Sequence, residues 1–253
     1  MQKKLSLVHV MGGLLVIGIA HQSQLSAQSK PTYHKAAVLD RIRSSSNPPG
    51  PVSVVSRVSA AHDETYDDLA RRWWEWALGL PKELNNPNVT FDCDSQGKTQ
   101  SGKVWFLFGI IGPAELYCAI PKDRSLFFPI INAECSNQEP DPYDGSTPAL
   151  AVACAKAWND DVSALSVVID GAPINDLWSY RVRTPNLAVK LPEDNIFNVP
   201  KNTHLAAAAD GYYLFVEPLA PGPHIIDIKG STIKHGTGEP FSINTRWNLY
   251  VGH

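Results

Sequence analysis

The sequence predicts an α+β protein, mainly β, in which two helices pack on an antiparallel sheet and a β-sandwich fills the C-terminal part. Three observations carry this reading. Tyr66, Leu69, Ala70, Trp73, Trp76, Ala77 and Leu80 recur at three- and four-residue spacing, which places them on one face of an amphipathic helix. Thr147 followed by Pro148 is a cap residue with proline at the first helical position, and Leu150, Cys154, Ala157, Trp158 and Leu165 then share a second helical face. From Ser166 onward the apolar period changes to two, with turn signals at Asp170-Gly171, Asp210-Gly211 and Pro221-Gly222.

Taken from the N-terminus, Lys3 and Lys4 precede an apolar run from Leu5 to Ala20, and a small, polar stretch continues to Ala27. That is the layout of a secretory signal peptide over residues 1–27, because the run is shorter than the about 20 residues a membrane-spanning helix needs. Residues 28–61, with Ser44, Ser45, Ser46, Asn47, Pro48, Pro49 and Gly50, read as an extended or disordered linker. The first helix follows, opened by Thr65 with Asp68 three residues on and stopped at Pro81. Val104 to Ile111 is a continuous apolar run that suits a doubly buried strand, and Leu116 to Ile120 and Leu126 to Ile131 make two more. After the second helix the strand candidates are Val167 to Ile169, Trp178 to Val182, Tyr212 to Val216, Ile225 to Ile228 and Phe241 to Val251. Residues 62–165 thus form a Trp-rich helical and Cys-containing α/β segment and 166–253 a sandwich portion, with 62–253 also admissible as one domain.

The chain carries 22 basic and 25 acidic residues, a formal charge of −3, and loss of Lys3 and Lys4 with the leader makes it more acidic. Such a surface gives no electrostatic reason to bind nucleic acid or anionic lipid, and no membrane segment remains after cleavage. Export to a secreted or periplasmic space permits disulfides, and an even count of four cysteines, none in the leader, reads as two of them. Of the three possible pairings, nearest neighbours close the shortest loops, which favours Cys93 with Cys118 and Cys135 with Cys154. A four-thiolate zinc site would show Cys-x-x-Cys spacing, and none occurs.

The stretch Asp210-Gly211-Tyr212-Tyr213 followed by Pro218-Leu219-Ala220-Pro221-Gly222-Pro223-His224 resembles the last hairpin of immunoglobulin-like or fibronectin-like domains of exported bacterial proteins. The resemblance covers Ser166 to Val251 and implies an Ig-like β-sandwich there, without the inter-sheet disulfide of antibody domains, since that region holds no cysteine. It implies a fold and no activity. The Trp-rich helix and the Cys-containing middle segment are similar to uncharacterised exported bacterial proteins, which carry no functional assignment to transfer.

Candidate chemistry concentrates in the middle of the chain. Glu134, Glu139, Asp141 and Asp144 form the densest acidic run, beside Cys135; oxygen ligands there suit calcium, and a carboxylate pair among Glu134, Asp141 and Asp144 suits hydrolysis of a sugar polymer. Glu134 stands out because a carboxyl at a strand end among apolar residues acquires a raised pKa. Asp92, Asp94, Gln96 and Gly97 imitate half of a calcium loop, but Lys103 stands where a bidentate Glu is required. His62, His204, His224 and His235 are scattered without metal-ligand spacing, no Gly-x-Ser-x-Gly elbow is present, and Asn88-Val89-Thr90 is a glycosylation sequon only in a eukaryotic host. Of seven tryptophans, Trp73, Trp76, Trp105 and Trp158 have core positions, whereas Trp74, Trp178 and Trp247 are the candidates for an aromatic ligand platform. The function expected is an exported, disulfide-stabilised binding or surface-interaction protein for an extracellular ligand or envelope polymer, with an extracellular polysaccharide hydrolase as the alternative. No cofactor is expected beyond the calcium just weighed, and the sequence leaves the oligomeric state open.

Overall fold

The computed structural model describes residues 32–44, 50–84, 93–108, 112–139, 145–234 and 236–252. The expected leader, the sequon Asn88-Val89-Thr90, Asp92, Asp141, Asp144 and His235 lie outside the described residues.

Nine strands form two sheets among the described residues. The first has the order β1-β3-β7-β6, built from Val104–Phe106, Ser125–Ser136, His204–Val216 and Arg181–Lys190. The second has the order β2-β9-β8-β4-β5, from Gly112–Ile120, Pro240–Val251, Gly222–Ile233, Ala164–Ile169 and Ala172–Pro173. Most neighbours are antiparallel, but β1 runs parallel to β3 and β2 parallel to β9. The chain is therefore α+β and mainly β, with two sheets packed face to face. Leu126, Phe128, Leu214 and Val216 of the first sheet share one buried cluster with Leu116, Ile226, Ile228, Trp247 and Leu249 of the second.

Both sheets mix strands from before and after residue 165, so the sandwich does not belong to 166–253 alone. Strand periodicity shows which face of a strand is buried and says nothing about its partner, which is why this pairing was invisible in the sequence.

Helix α2, Tyr66–Gly79, covers the other face of the first sheet. Its expected capping box is present: Asp68 N–H donates to Thr65 Oγ1 at 3.2 Å and Thr65 N–H donates to Asp68 Oδ2 at 3.0 Å, satisfying two of the orphan donors of the first turn. Tyr66 reaches down from the first turn, donating to Val55 O at 2.9 Å and accepting from Phe215 N–H at 3.0 Å. Helix α4, Pro148–Asp160, capped by Thr147, wedges into one end of the sandwich. There Trp158 meets Phe241 edge-on, Asn159 Nδ2 donates to Asp210 O at 2.9 Å, and Thr232 Oγ1 donates to Trp158 O at 2.9 Å. The Cys135–Cys154 disulfide joins β3 to α4, and Cys93–Cys118 joins a short helix, α3 (Cys93–Gly97), to β2.

Three local expectations give way to the structure. Residues 32–44 of the supposed linker form helix α1, Thr32–Ser44, with Arg41 and Arg43 in its last turn, where they oppose the negative end of the helix dipole. It docks on the outer face of the second sheet, with Lys35 over the Tyr117 ring and Arg41 over Tyr250. From Gly50 the chain carries no helix up to α2 and is pinned to β7 by Val55 N–H donating to Phe215 O at 2.8 Å. Trp178 opens no strand: Asp176 adopts a left-handed conformation and accepts from Ser179 N–H at 3.0 Å, which winds Leu177–Tyr180 into a 3₁₀ turn before β6. Asp210-Gly211 is no turn either but lies inside β7, where a side chain at 211 would meet Asn132 Cβ at 2.4 Å. By contrast, Asp170 and Gly171 both have positive φ, 52° and 82°, as the two-residue hairpin between β4 and β5 demands.

Candidate functional site

Two regions collect polar chemistry, one buried and one open. The buried one is set by an irregularity in β3. Leu126, Phe128 and Ile130 face the sandwich, but the register against β7 shifts between Pro129 and Ile131, where proline cannot donate to the ladder. Ile131, Ala133 and Cys135 therefore take over the sandwich side, and Asn132, Glu134 and Ser136 turn to the face beneath α2. Opposite them β7 offers Gly211, Ala209 and Ala207, so three small residues leave room for the polar row.

In this row Tyr213 OH accepts from Trp74 Nε1 at 2.8 Å and from Asn132 Nδ2 at 3.2 Å. The turn after β3 then brings Glu139 back: Glu139 N–H donates to Ser136 O at 3.3 Å, and Glu139 Oε2 accepts from Ser136 N–H at 2.7 Å. Glu134 and Glu139 are 3% and 5% exposed. Burial pushes the Glu134 carboxyl up to about 7, with the neighbouring Ser136 pulling weakly the other way. Burial first, and the charge of Glu134 second, hold Glu139 well above the carboxylate range. The sequence singled out Glu134 but set Glu139 behind Asp141 and Asp144. The signal that finds it is the spacing Ser136-x-x-Glu139, the reciprocal pattern that folds a carboxylate back onto a backbone N–H three residues earlier.

Trp74 and Trp247, offered as platform residues, are buried at 5% and 1% exposure; Trp74 donates to Tyr213, and Trp247 sits in the sandwich core. Only Trp178 is open, at 51%, standing edge-on to Tyr212 on the surface. The three do not share a face, so the aromatic platform is not assembled. The Asp94–Gly97 calcium half-loop is likewise replaced by helix α3, in which Gln96 is buried and donates Nε2 to Leu84 O at 2.7 Å. His62 is bonded to Ser125 Oγ at 2.9 Å, and His224 lies buried between Asp170 Oδ2 and Ala220 O, each at 2.7 Å. Both pairings hold loops against the sandwich. Among the described residues no three His, Cys, Asp or Glu side chains form a metal-binding group.

The open region is a groove of about 570 Å³ on the outer face of the second sheet. Two cross-strand rows floor it. Glu115, Arg246 and Asp227 are register partners on β2, β9 and β8, and Asn244, Lys229 and Ser166 form the next row on β9, β8 and β4. Arg246 grips Asp227 with both donors, Nε at 2.7 Å and Nη2 at 2.9 Å, which fixes the guanidinium plane. That pairing holds the Asp227 carboxyl below the usual range. Helix α1 lies farther along the same face, over Tyr117 and Tyr250. No protein family, curated protein or solved structure matches the chain.

Proposed function

We propose that this is an exported binding protein of an extracellular or periplasmic space, with the outer-sheet groove as its site for a polar, hydroxyl-rich ligand such as a glycan. Two disulfides suit an oxidising compartment, and no described helix is long and apolar enough to cross a membrane. The observation that carries the binding reading is the Glu115–Arg246–Asp227 row beside Asn244, Lys229 and Ser166. Sugar hydroxyls donate and accept, and alternating carboxylate, guanidinium and amide groups on rigid strands meet both needs. Strand spacing makes such a floor about 15 Å wide across four strands, room for one or two sugar units. An Ig-like fold for Ser166 to Val251 is part of this proposal, supported by the antiparallel β8–β9 and β6–β7 pairs, with the parallel β2–β9 pair counting against it.

The test is a glycan array followed by titration calorimetry of any hit with wild-type protein, Arg246→Ala and Asp227→Ala. Binding weakened tenfold or more in both variants, with little change in melting temperature because the pair is exposed, supports the groove. An array without a hit sinks the glycan reading.

The hydrolase reading has less support: burial raises the Glu134 and Glu139 carboxyls, which gives them the protonation a general acid needs, but at 3% and 5% exposure neither is open to a sugar polymer. Turnover on a glycan panel that disappears in Glu134→Gln supports it. Turnover unaffected by that substitution, or none in the wild type, refutes it.

A further inference from the structure

The buried row beneath α2 leaves oxygen atoms unused in a regular way. Asn132 spends Nδ2 on Tyr213 OH and leaves Oδ1 without a partner. Glu139 spends Oε2 on Ser136 N–H and leaves Oε1 without a partner. Glu134 likewise leaves Oε1 without a partner. These are three of the buried side-chain atoms without a partner among the described residues, all are oxygens, and all belong to residues no more than 5% exposed. Asn132 and Glu134 project from the same face two residues apart, about 7 Å along the strand, and Ser136 and the folded-back Glu139 close the row. Orphaned buried acceptors destabilise the folded chain, and a buried carboxylate without a charge partner does so more strongly. A ligand that satisfies three acceptors and cancels two carboxylates removes both penalties.

We propose that Asn132, Glu134, Ser136 and Glu139 hold a buried hard divalent cation, calcium in the first instance. The donor set is oxygen only, which suits calcium or magnesium rather than a softer metal. Two carboxylates balance a double positive charge, and the amide and hydroxyl oxygens complete the set in place of a third acidic residue. The supports are rigid: Cys135, between Glu134 and Ser136, is bonded to Cys154 of α4, and Gly145 N–H donates to Ser136 O at 3.0 Å. A side chain at 145 would collide with the Ser136 backbone at 2.6 Å, so Gly145 packs directly on the strand end. Because the row is buried, the ion enters as the chain folds.

The experiment uses the full mature chain, unfolded in chelator, refolded with calcium, magnesium or neither, and desalted. One ion per chain by atomic emission is expected. At a hundredfold excess over the dissociation constant the melting temperature rises by about 5–10 °C. Glu134→Gln and Asn132→Ala, made separately, lose the ion. Wild-type protein that retains neither ion and melts at one temperature in calcium, magnesium and chelator overturns the proposal. So does an ion retained equally by both variants. The wild-type measurement needs no variant to fold, and the outer-sheet groove lies on the other sheet, so failure here leaves the glycan test untouched. A bound cation would occupy both carboxyls and exclude the hydrolase reading.

Discussion

Removing the His224 ring tests the charge state of the sandwich interior. Both ring nitrogens face acceptors, the Asp170 carboxylate at Nδ1 and the Ala220 carbonyl at Nε2, so both must carry hydrogens and the ring is an imidazolium. Burial alone would lower its pKa, but the bonds to Asp170 and Ala220 and the Asp170 charge outweigh burial and leave it raised. His224→Ala strips the buried Asp170 of this partner and leaves it Ile225 N–H at 2.8 Å. Breaking a buried pair from one side costs about 3–5 kcal/mol. The sign of the pH dependence follows from the raised value. Below about pH 6.5 the ring is charged in both folded and unfolded chains, and its contribution is complete. Above that the unfolded ring loses its proton first, so the contribution falls by up to about 1.4 kcal/mol per pH unit until the folded pKa is passed. Urea unfolding of wild type and variant, followed by tryptophan fluorescence between pH 5 and 9, reads this out. The expected stability gap is constant below pH 6.5 and narrows above it. A gap equal at pH 5 and pH 9, or wider at pH 9, would refute the imidazolium.

Three further outcomes are expected. Alkylation without reductant modifies no thiol and with reductant modifies four, and the Cys135→Ala/Cys154→Ala pair loses about 3 kcal/mol by releasing a loop of sequence separation 19; intact mass and urea midpoints check both. Gly211→Ala forces β3 and β7 apart at Asn132 and costs about 1–3 kcal/mol, and an unchanged urea midpoint would show that the strands yield freely. Trp178→Ala alters stability by about 1 kcal/mol or less while Trp247→Ala costs about 3–5 kcal/mol, so equal effects in calorimetry would contradict their exposures of 51% and 1%.

Much of the local structure was legible because local rules govern it. The cap at Thr65, the stop at Pro81, the cap at Thr147, the Asp170-Gly171 turn and both disulfide pairings depend on neighbours close in the chain or on loop length. The remaining features are decided by distant contacts. The helix at 32–44 is stabilised by cation–π contacts to Tyr117 and Tyr250, far away in sequence. Asp210-Gly211 has the composition of a turn, yet Arg181 clamps Asp210 with Nε and Nη2, both at 2.8 Å, inside the strand. Trp74 looked peripheral on its helix because its partner, Tyr213, comes from the last third of the chain.

The candidate site divides in the same way. By itself the sequence determined the chemistry at hand: an acidic run beside Cys135, no nucleophile signature, and a leader pattern that makes disulfides the expected use of the cysteines. Tertiary structure alone decided where that chemistry points. Continued alternation from Leu126 and Phe128 would have sent Glu134 toward the sandwich, and the one-residue shift at Pro129 sends it beneath α2, next to Asn132 and the returning Glu139. A strand's side-chain period is two, so one irregular residue exchanges its faces, and pairing with β7 determines whether that residue is absorbed.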